Sequence, residues 1–296
     1  MIRIPGALLI FAASACALGP AAVRAEPTPT TAATLSVIIP GWGQATQGDY
    51  TTAAEHFSIF AVTLGAGIHY QNKSDFLTDD VRYQDNRELI NQTTLKRDFA
   101  LRVATDTAFY SSFSAYREGR GRDTQRTYRT PAPTESLWDL AVAPFSWQFL
   151  SRPTTFIPIG LQIWAAKRDN YGLFRDGVSQ REMHAYNFTA NEFTAVGEEG
   201  FFRGFLNNEL SDRHGNGWGL AASSTIFGLA HAGGQGQTAT VAQAGLAGAY
   251  LGWVHQRNNF QIGEGVAIHY WINVIAGIAA IKHGGTAQLV SFTAEF

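Results

Sequence analysis

Two long stretches of this chain contain no Asp, Glu, Lys or Arg. The first runs from residue 215 to 256 and the second from residue 265 to 281. A helix crosses the hydrocarbon core of a bilayer in about 20 residues, so both stretches approach or exceed the length of a span. Mean hydropathy over the whole chain is only -0.08, a value typical of soluble proteins. That average hides the pattern, because polar segments elsewhere dilute the apolar ones.

The apolar stretches are rich in Gly, Ala, Ser and Thr, which allow helices to pack closely in lipid. We therefore predict an all-α fold, a multi-pass transmembrane helical bundle. Predicted helices cover residues 33–45, 50–70, 99–116, 136–150, 154–167, 187–211, 217–232, 238–256 and 264–283. The first two form a hairpin broken at residues 40–43, and prolines make the pair at 136–167 irregular. Charged residues concentrate at 71–98, 117–129 and 167–192, which we interpret mainly as loops, with the Arg-rich 117–129 block on the cytoplasmic side.

The N-terminus has the pattern of a secretory signal. Arg3 is followed by an apolar run over residues 7–18 and by a small-x-small site that ends at Ala25. We predict a signal peptide over residues 1–25, with an uncleaved anchor helix as the alternative. Cleavage there removes Cys16, the only cysteine, so the mature chain has no thiol nucleophile.

Composition excludes several classes of function. Lys and Arg number 22 against 24 Asp and Glu, for a formal net charge of -2, so no basic field for binding nucleic acid is expected. One cysteine excludes a disulfide scaffold and a Cys-rich metal site. The His-Glu-x-x-His pattern of soluble zinc proteases is absent from the sequence.

The end of the chain alternates apolar with polar or small residues and finishes in Phe296. This pattern occurs in the last strand of outer-membrane barrels. One alternating segment cannot make a barrel, so we predict a loose tail or short strand over residues 286–296.

The first cluster of interest is Glu198-Glu199-Gly200-Phe201-Phe202-Arg203-Gly204-Phe205-Leu206. Glu199 and Arg203 are four residues apart on one helix face and can form an ion pair. Glu198 is rotated by about 100° and shares its side with aromatic rings. The pattern predicts one paired and one unpaired carboxylate, and the unpaired one suits a general base. A structural salt bridge beside a Glu at a helix end is the alternative.

Two further clusters place imidazoles in apolar runs. His231 ends Phe227-Gly228-Leu229-Ala230-His231, and His269 lies four residues before Asn273 on one helix face. An imidazole and a carboxamide can together donate hydrogen bonds to one oxygen or help to hold a metal. Taken alone, a hydrogen-bonded core histidine and a polar pair joining two helices are the simpler interpretations.

Taken in this order, the three motifs resemble those of the CPBP family, which includes the Rce1-like CAAX prenyl endopeptidases and Abi-type intramembrane proteases. The resemblance depends on residues 198–206, on Ser224–His231 and on Ile268–Asn273, and it extends over about residues 135–285. We accordingly predict a signal peptide at 1–25, a helical membrane region with polar loops at 26–134, an intramembrane protease domain at 135–285 and the tail at 286–296.

The resemblance implies an endopeptidase in which Glu198 and His231 activate a water molecule. His269 and Asn273 would stabilise the oxyanion or share a metal, and Glu199, Arg203 and Phe227 would support the site. Zn²⁺ held by Glu198, His231 and His269 is one account, and a metal-free glutamate mechanism is the other.

The same resemblance implies a multi-pass protein of the cell (inner) membrane that acts on a membrane-embedded or lipidated peptide substrate. The lipid bilayer is then its other partner, and no nucleic acid is expected. The alternative is a non-catalytic membrane scaffold or transporter-like protein that keeps the motifs for helix packing.

Overall fold

The structure is a computed structural model that describes residues 27–166, 177–232 and 237–283. Within these ranges the protein is helical and contains no strand, which confirms the predicted all-α class. The predicted signal peptide with Cys16, and the predicted tail over residues 286–296, lie outside the described residues.

The helices follow one another with short connections. A π-helical segment, Glu199–Asn207, directly continues the helix Gln180–Glu198, and a 3₁₀ turn, Ala143–Phe145, separates two short helices. The α-helices are α1 Pro29–Ile38, α2 Trp42–Thr46, α3 Tyr50–Asp79, α4 Arg87–Arg122, α5 Leu137–Val142, α6 Trp147–Leu150, α7 Pro153–Ala166, α8 Gln180–Glu198, α9 Asn208–His214, α10 Asn216–Ala230, α11 Gln237–Arg257 and α12 Gly263–His283.

The predicted breaks are present. The first hairpin turns at Gly41, whose φ of 89° suits a residue without a side chain. The predicted helix at 136–150 divides into α5, the 3₁₀ turn with Pro144 and α6, whereas α7 forms one helix that begins at Pro153. Pro158 lies inside α7.

The prediction of loops over the charged blocks is wrong for most of 71–98. Helix α3 continues to Asp79, and Asn86 begins α4 by accepting a hydrogen bond from the amide of Leu89 at 3.1 Å. Charged and amide side chains pair along the helix surface instead, as Gln71 does with Asp75 at 2.7 Å. Polar composition therefore marks exposed helix faces here, not loops.

The Arg-rich block also differs from the predicted loop, because its first six residues belong to α4. Arg120 is buried and donates to the Tyr116 hydroxyl at 2.7 Å and to Asn208 Oδ1 at 3.0 Å. Its guanidinium stacks 3.7 Å from the centroid of the Tyr128 ring. The basic charge in this block helps to join the end of α4 to α9.

Helix α4 packs along α8 and the π-helical segment over a row of glycines. A Cβ at Gly197 would lie 2.7 Å from the backbone oxygen of Asp106, and one at Gly204 would lie 2.4 Å from the ring of Phe113. The third glycine of the row is Gly200, where a Cβ would come within 3.1 Å of Phe113. The absence of side chains at these positions is what allows the two helices to approach so closely.

Aromatic side chains continue the same interface. Phe109 stacks on Phe201 with ring centroids 4.8 Å apart, and Tyr116 meets Phe205 at 5.1 Å. These contacts advance along both helices in the same direction, so α4 runs parallel to the segment that carries the first motif. Residues 26–134 and 135–285 thus share an interface, while their division into domains stays a prediction.

One described helix is long and apolar enough to cross a membrane by itself. It is α12, over Gly263–Ile281, and 67% of its most apolar window is buried inside the protein. The protein also exposes large apolar side chains on several other helices, a distribution typical of contact with lipid or another apolar surface. They include Phe57, Val62 and Ile68 on α3, Phe156, Leu161 and Trp164 on α7, Trp218 and Leu229 on α10, and Leu246 and Trp253 on α11. The multi-pass arrangement stays a prediction.

Substitution of Gly204 tests the close approach of α4. We expect Gly204→Ala to lower the free energy of unfolding by about 1–3 kcal/mol, because the new methyl group overpacks against Phe113. Thermal unfolding of the purified protein in detergent measures the change.

The control is Gly65→Ala, since a Cβ at Gly65 in α3 meets no atom within 4 Å. We expect this variant to be at least as stable as the wild type, because Ala favours the helix. Equal melting temperatures for the two variants would contradict the proposed packing.

Candidate active site

The first motif lies where an α-helix changes into a π-helix. Helix α8 begins with a capping box between Ser179 and Glu182 and ends at Glu198. The chain continues as the π-helical segment Glu199–Asn207. Such wide turns are rare and occur frequently at functional sites. This change of helix type places Glu198 and Glu199 on either side of one imidazole.

Glu199 holds two partners with the same carboxylate oxygen. Arg203 donates from Nη1 to Glu199 Oε1 at 2.9 Å, and His269 Nδ1 lies 2.8 Å from that atom. All three side chains are buried. An ionised carboxylate only accepts hydrogen bonds, so Nδ1 of His269 is the donor and chemistry at this imidazole takes place at Nε2. The predicted pairing of Glu199 with Arg203 is confirmed.

Glu198 lies on the opposite side of the same imidazole. Its Oε2 atom is 3.8 Å from His269 Nε2, which is too long for a direct hydrogen bond. Glu198 is buried, and in the part of the chain that the structure describes Oε2 has no hydrogen-bond partner. Glu198 is therefore the unpaired carboxylate that the spacing predicted.

His231 caps the end of α10. Its Nδ1 atom lies 2.7 Å from the carbonyl oxygen of Phe227 one turn earlier. A carbonyl only accepts, so Nδ1 donates and the neutral ring carries its lone pair on Nε2. The neighbouring backbone thus sets the tautomer of this imidazole.

Phe227 joins the parts of the site. Its ring is fully buried and lies 4.6 Å from the ring of His231 and 6.4 Å from the ring of His269, measured between centroids. The guanidinium of Arg203 lies 4.2 Å from the same ring. Phe227 therefore lies close to His231, His269 and Arg203 at once, and its supporting role stays a prediction.

Asn273 lies one turn after His269 on α12 and is buried. Its Oδ1 atom has no hydrogen-bond partner among the residues that the structure describes. A buried carboxamide with an unsatisfied atom is costly, and a bound molecule can supply the missing partner. The structure thus brings Glu198, Glu199, Arg203 and His269 into direct contact or within 4 Å, with His231 joined through Phe227 and Asn273 on the helix of His269.

Two contacts outside the motifs position α12. Glu135 accepts hydrogen bonds from the amides of Ile262 and Gly263 at 2.6 and 2.7 Å, so its carboxylate caps the N-terminus of the helix. The negative charge also suits that end of the helix dipole. Further along, a Cβ at Gly265 would lie 3.0 Å from Glu199 Oε2, so glycine permits the approach of that carboxylate.

The predicted zinc ligands do not form a ready-made set. In the described ranges, no group of three or more His, Cys, Asp or Glu side chains is arranged to hold a metal ion. Nδ1 of His269 is engaged by Glu199, and Nδ1 of His231 by a carbonyl, so each imidazole has Nε2 as the atom that could bind a metal. Zn²⁺ stays one of the two predicted accounts.

The motif analysis missed three side chains beside Glu198. Arg102 donates to Thr194 Oγ1 at 3.2 Å, and Thr194 donates to Asp106 Oδ2 at 2.9 Å. Arg102 and Asp106 are opposite charges four residues apart on α4. The spacing rule that indicates the pair of Glu199 and Arg203 also indicates this pair.

Comparison with known families agrees with the motifs. Residues 185–275 match the family model described as Type II CAAX prenyl endopeptidase Rce1-like. The matched segment contains all three motifs and supports the assignment to the CPBP/Rce1-like family that they indicated. Helix α4 lies outside it. No curated protein and no solved structure was found to match the chain.

Removal of Arg203 tests the buried ion pair. We expect Arg203→Met to lower the free energy of unfolding by about 3–5 kcal/mol, because Glu199 keeps a buried charge without its guanidinium. Chemical unfolding followed by tryptophan fluorescence measures the loss.

The matched control is Arg82→Met, which breaks an exposed Arg–Asp pair of 2.6 Å with Asp80. Water screens that pair, so little change in stability is expected. If the two variants lose the same stability, the buried pair does not hold the site together.

Proposed function

Because residues 185–275 are Rce1-like, we propose that the protein is an endopeptidase that cleaves a peptide bond of a membrane-embedded or lipidated substrate. The observation that carries the proposal is the position of His269 between two carboxylates, with Glu199 at 2.8 Å from Nδ1 and Glu198 at 3.8 Å from Nε2. One carboxylate orients the imidazole and the other is left unpaired for chemistry.

In the proposed reaction, Glu198 and His231 orient and activate one water molecule. The lone pair on Nε2 of His231 accepts a hydrogen bond from the water, and Glu198 accepts the proton as the water oxygen attacks the peptide carbonyl. Glu198 then gives this proton to the leaving amine, so the proton lost by water is returned to the product. To accept and return a proton, Glu198 needs a carboxylate oxygen that no other group occupies. Among the described residues, its Oε2 atom has no hydrogen-bond partner.

His269 and Asn273 are proposed to stabilise the oxyanion that forms on the peptide carbonyl. When both ring nitrogens of His269 carry protons, Nε2 donates toward the side of Glu198, and the carboxamide of Asn273 can donate from the same helix. Arg203 balances the charge of Glu199, so Glu199 can hold His269 without remaining an uncompensated buried anion.

The proposed location is the cell (inner) membrane, with several helices in the bilayer. The family is membrane-embedded, and α12 is long and apolar enough to span. Exposed apolar side chains on α3, α7, α10 and α11 are consistent with contact with lipid tails. A substrate that lies in the same membrane would reach the site without crossing water.

The first test is Glu198→Ala in the full chain. We expect the rate at which a membrane-anchored reporter peptide is cleaved to fall by about 100- to 10,000-fold, the usual contribution of a general base. The protein should remain folded and in the membrane fraction. Glu192→Gln, a carboxylate change on the same helix, is the control and should retain cleavage.

His231→Ala separates this proposal from a non-catalytic scaffold. A scaffold gives the same background cleavage in wild-type and variant membranes, whereas the proposed enzyme loses activity. Full activity in Glu198→Ala, or equal signals for wild type and His231→Ala, would overturn the enzymatic assignment.

A chelation experiment tests the role of zinc. If Glu198 and the two imidazoles act without a metal, as in the reaction proposed above, the purified protein retains reporter cleavage after treatment with 1,10-phenanthroline. Loss of activity that is restored by added Zn²⁺, with about one zinc bound per chain, would establish the metal-dependent mechanism instead.

A further inference from the structure

A buried polar cluster joins α4 to α8 directly beside Glu198. It consists of Arg102 and Asp106 on α4 and Thr194 on α8. The Thr194 hydroxyl accepts from Arg102 and donates to Asp106, so one side chain connects the cation to the anion. Asp106 and Thr194 are buried, and both α4 residues lie outside the family match.

Two features of the backbone place the cluster close to Glu198. Thr194 precedes Glu198 by four residues and therefore lies on the same face of α8. At Gly197, next to Glu198, a Cβ would come within 3.0 Å of both the Cα and the Cβ of Asp106. No side chain separates α4 from α8 at this point.

The charges in this region act on the Glu198 side chain from α4. A charge on Asp106 repels the Glu198 carboxylate, whereas the guanidinium of Arg102, which donates to Thr194, attracts it. Two carboxylates repel each other in a buried environment, where screening is weak. Thr194 holds the Asp106 carboxylate one helical turn before Glu198, so the repulsion favours conformations in which Glu198 points away from Asp106 and toward His269, where its Oε2 atom lies 3.8 Å from Nε2.

We propose that Asp106, held by Thr194 and Arg102, is a positioning residue that directs Glu198 toward His269 and the reacting water. This inference rests on the proposed function of Glu198. It extends the catalytic unit to α4, in the part of the chain before the Rce1-like match. Asp106 itself contacts neither substrate nor water in this scheme, and it acts only through Glu198.

The primary experiment compares Asp106→Asn with the wild-type full chain in membranes, using a membrane-anchored reporter peptide that the wild type cleaves. The amide keeps the size of the side chain and an oxygen for Thr194, but it removes the charge. We expect kcat to fall by about 10- to 100-fold, because a misplaced catalytic group costs rate, while KM stays nearly constant. Asp98→Asn on the same helix is the control, since Asp98 is partly exposed and pairs with Arg97.

A second pair of variants keeps the test decisive if Asp106→Asn does not fold. Thr194→Val keeps the shape of the side chain but removes the hydroxyl that joins Arg102 to Asp106, whereas Thr194→Ser keeps it. We expect the Val variant to lose kcat as Asp106→Asn does, and the Ser variant to stay close to wild type. Losses in the double variant Asp106→Asn, Thr194→Val should not add, because the two residues act as one unit.

The outcomes separate this inference from the proposed function. If Glu198→Ala is inactive while folded Asp106→Asn and Thr194→Val proteins keep wild-type kcat, the positioning role is wrong and the proposed function stands. The same conclusion follows if these variants lower only the melting temperature. If Glu198→Ala is fully active, the proposed function itself fails.

Discussion

The close packing of α4 against the helix of the first motif is the contact on which the rest of the structure depends. Gly197, Gly200 and Gly204 leave space for Asp106 and Phe113, so the two backbones approach without side chains between them. The same interface brings a polar cluster to one side of Glu198 and aromatic contacts to the π-helical segment that follows it. A wider separation would remove both at once, since each depends on the distance between the helices.

The geometry of the two imidazoles follows one rule. Each has its Nδ1 atom engaged by a fixed acceptor, Glu199 for His269 and the Phe227 carbonyl for His231. An imidazole held in this way has a defined orientation and presents Nε2 to its surroundings. Helix α12 is in turn held by Glu135 at its first turn and by Glu199 along its length. Preorganisation of this kind reduces the reorganisation that a reaction would otherwise require.

Local rules were enough to predict the all-α class, and also the ion pair within the first motif, because Glu199 and Arg203 are four residues apart. These rules did not predict the contacts between residues that are far apart in the sequence, because tertiary packing determines them. No local pattern indicates that Glu199 also binds His269, a contact across 70 residues, or that Glu135 caps α12. Polar composition was misread as loop at 71–98, because exposed faces of long helices are polar as well. Asp106 could have been recognised from its spacing to Arg102, but its position beside Glu198 follows only from the packing of α4.

The pairing of charges within single helices has a consequence for how such a protein enters a bilayer. An ionised residue at the centre of an inserting helix costs about 2.5–3.5 kcal/mol on translocon scales. Arg102 and Asp106 lie on one helix, and Glu199 and Arg203 lie on another. Each of these segments therefore contains both charges when it reaches the translocon. Glu198 also lies close to groups on other helices, the polar cluster on α4 before it and His269 on α12 after it. In the proposed membrane location, its burial is therefore completed only when α12, synthesised late, joins the bundle.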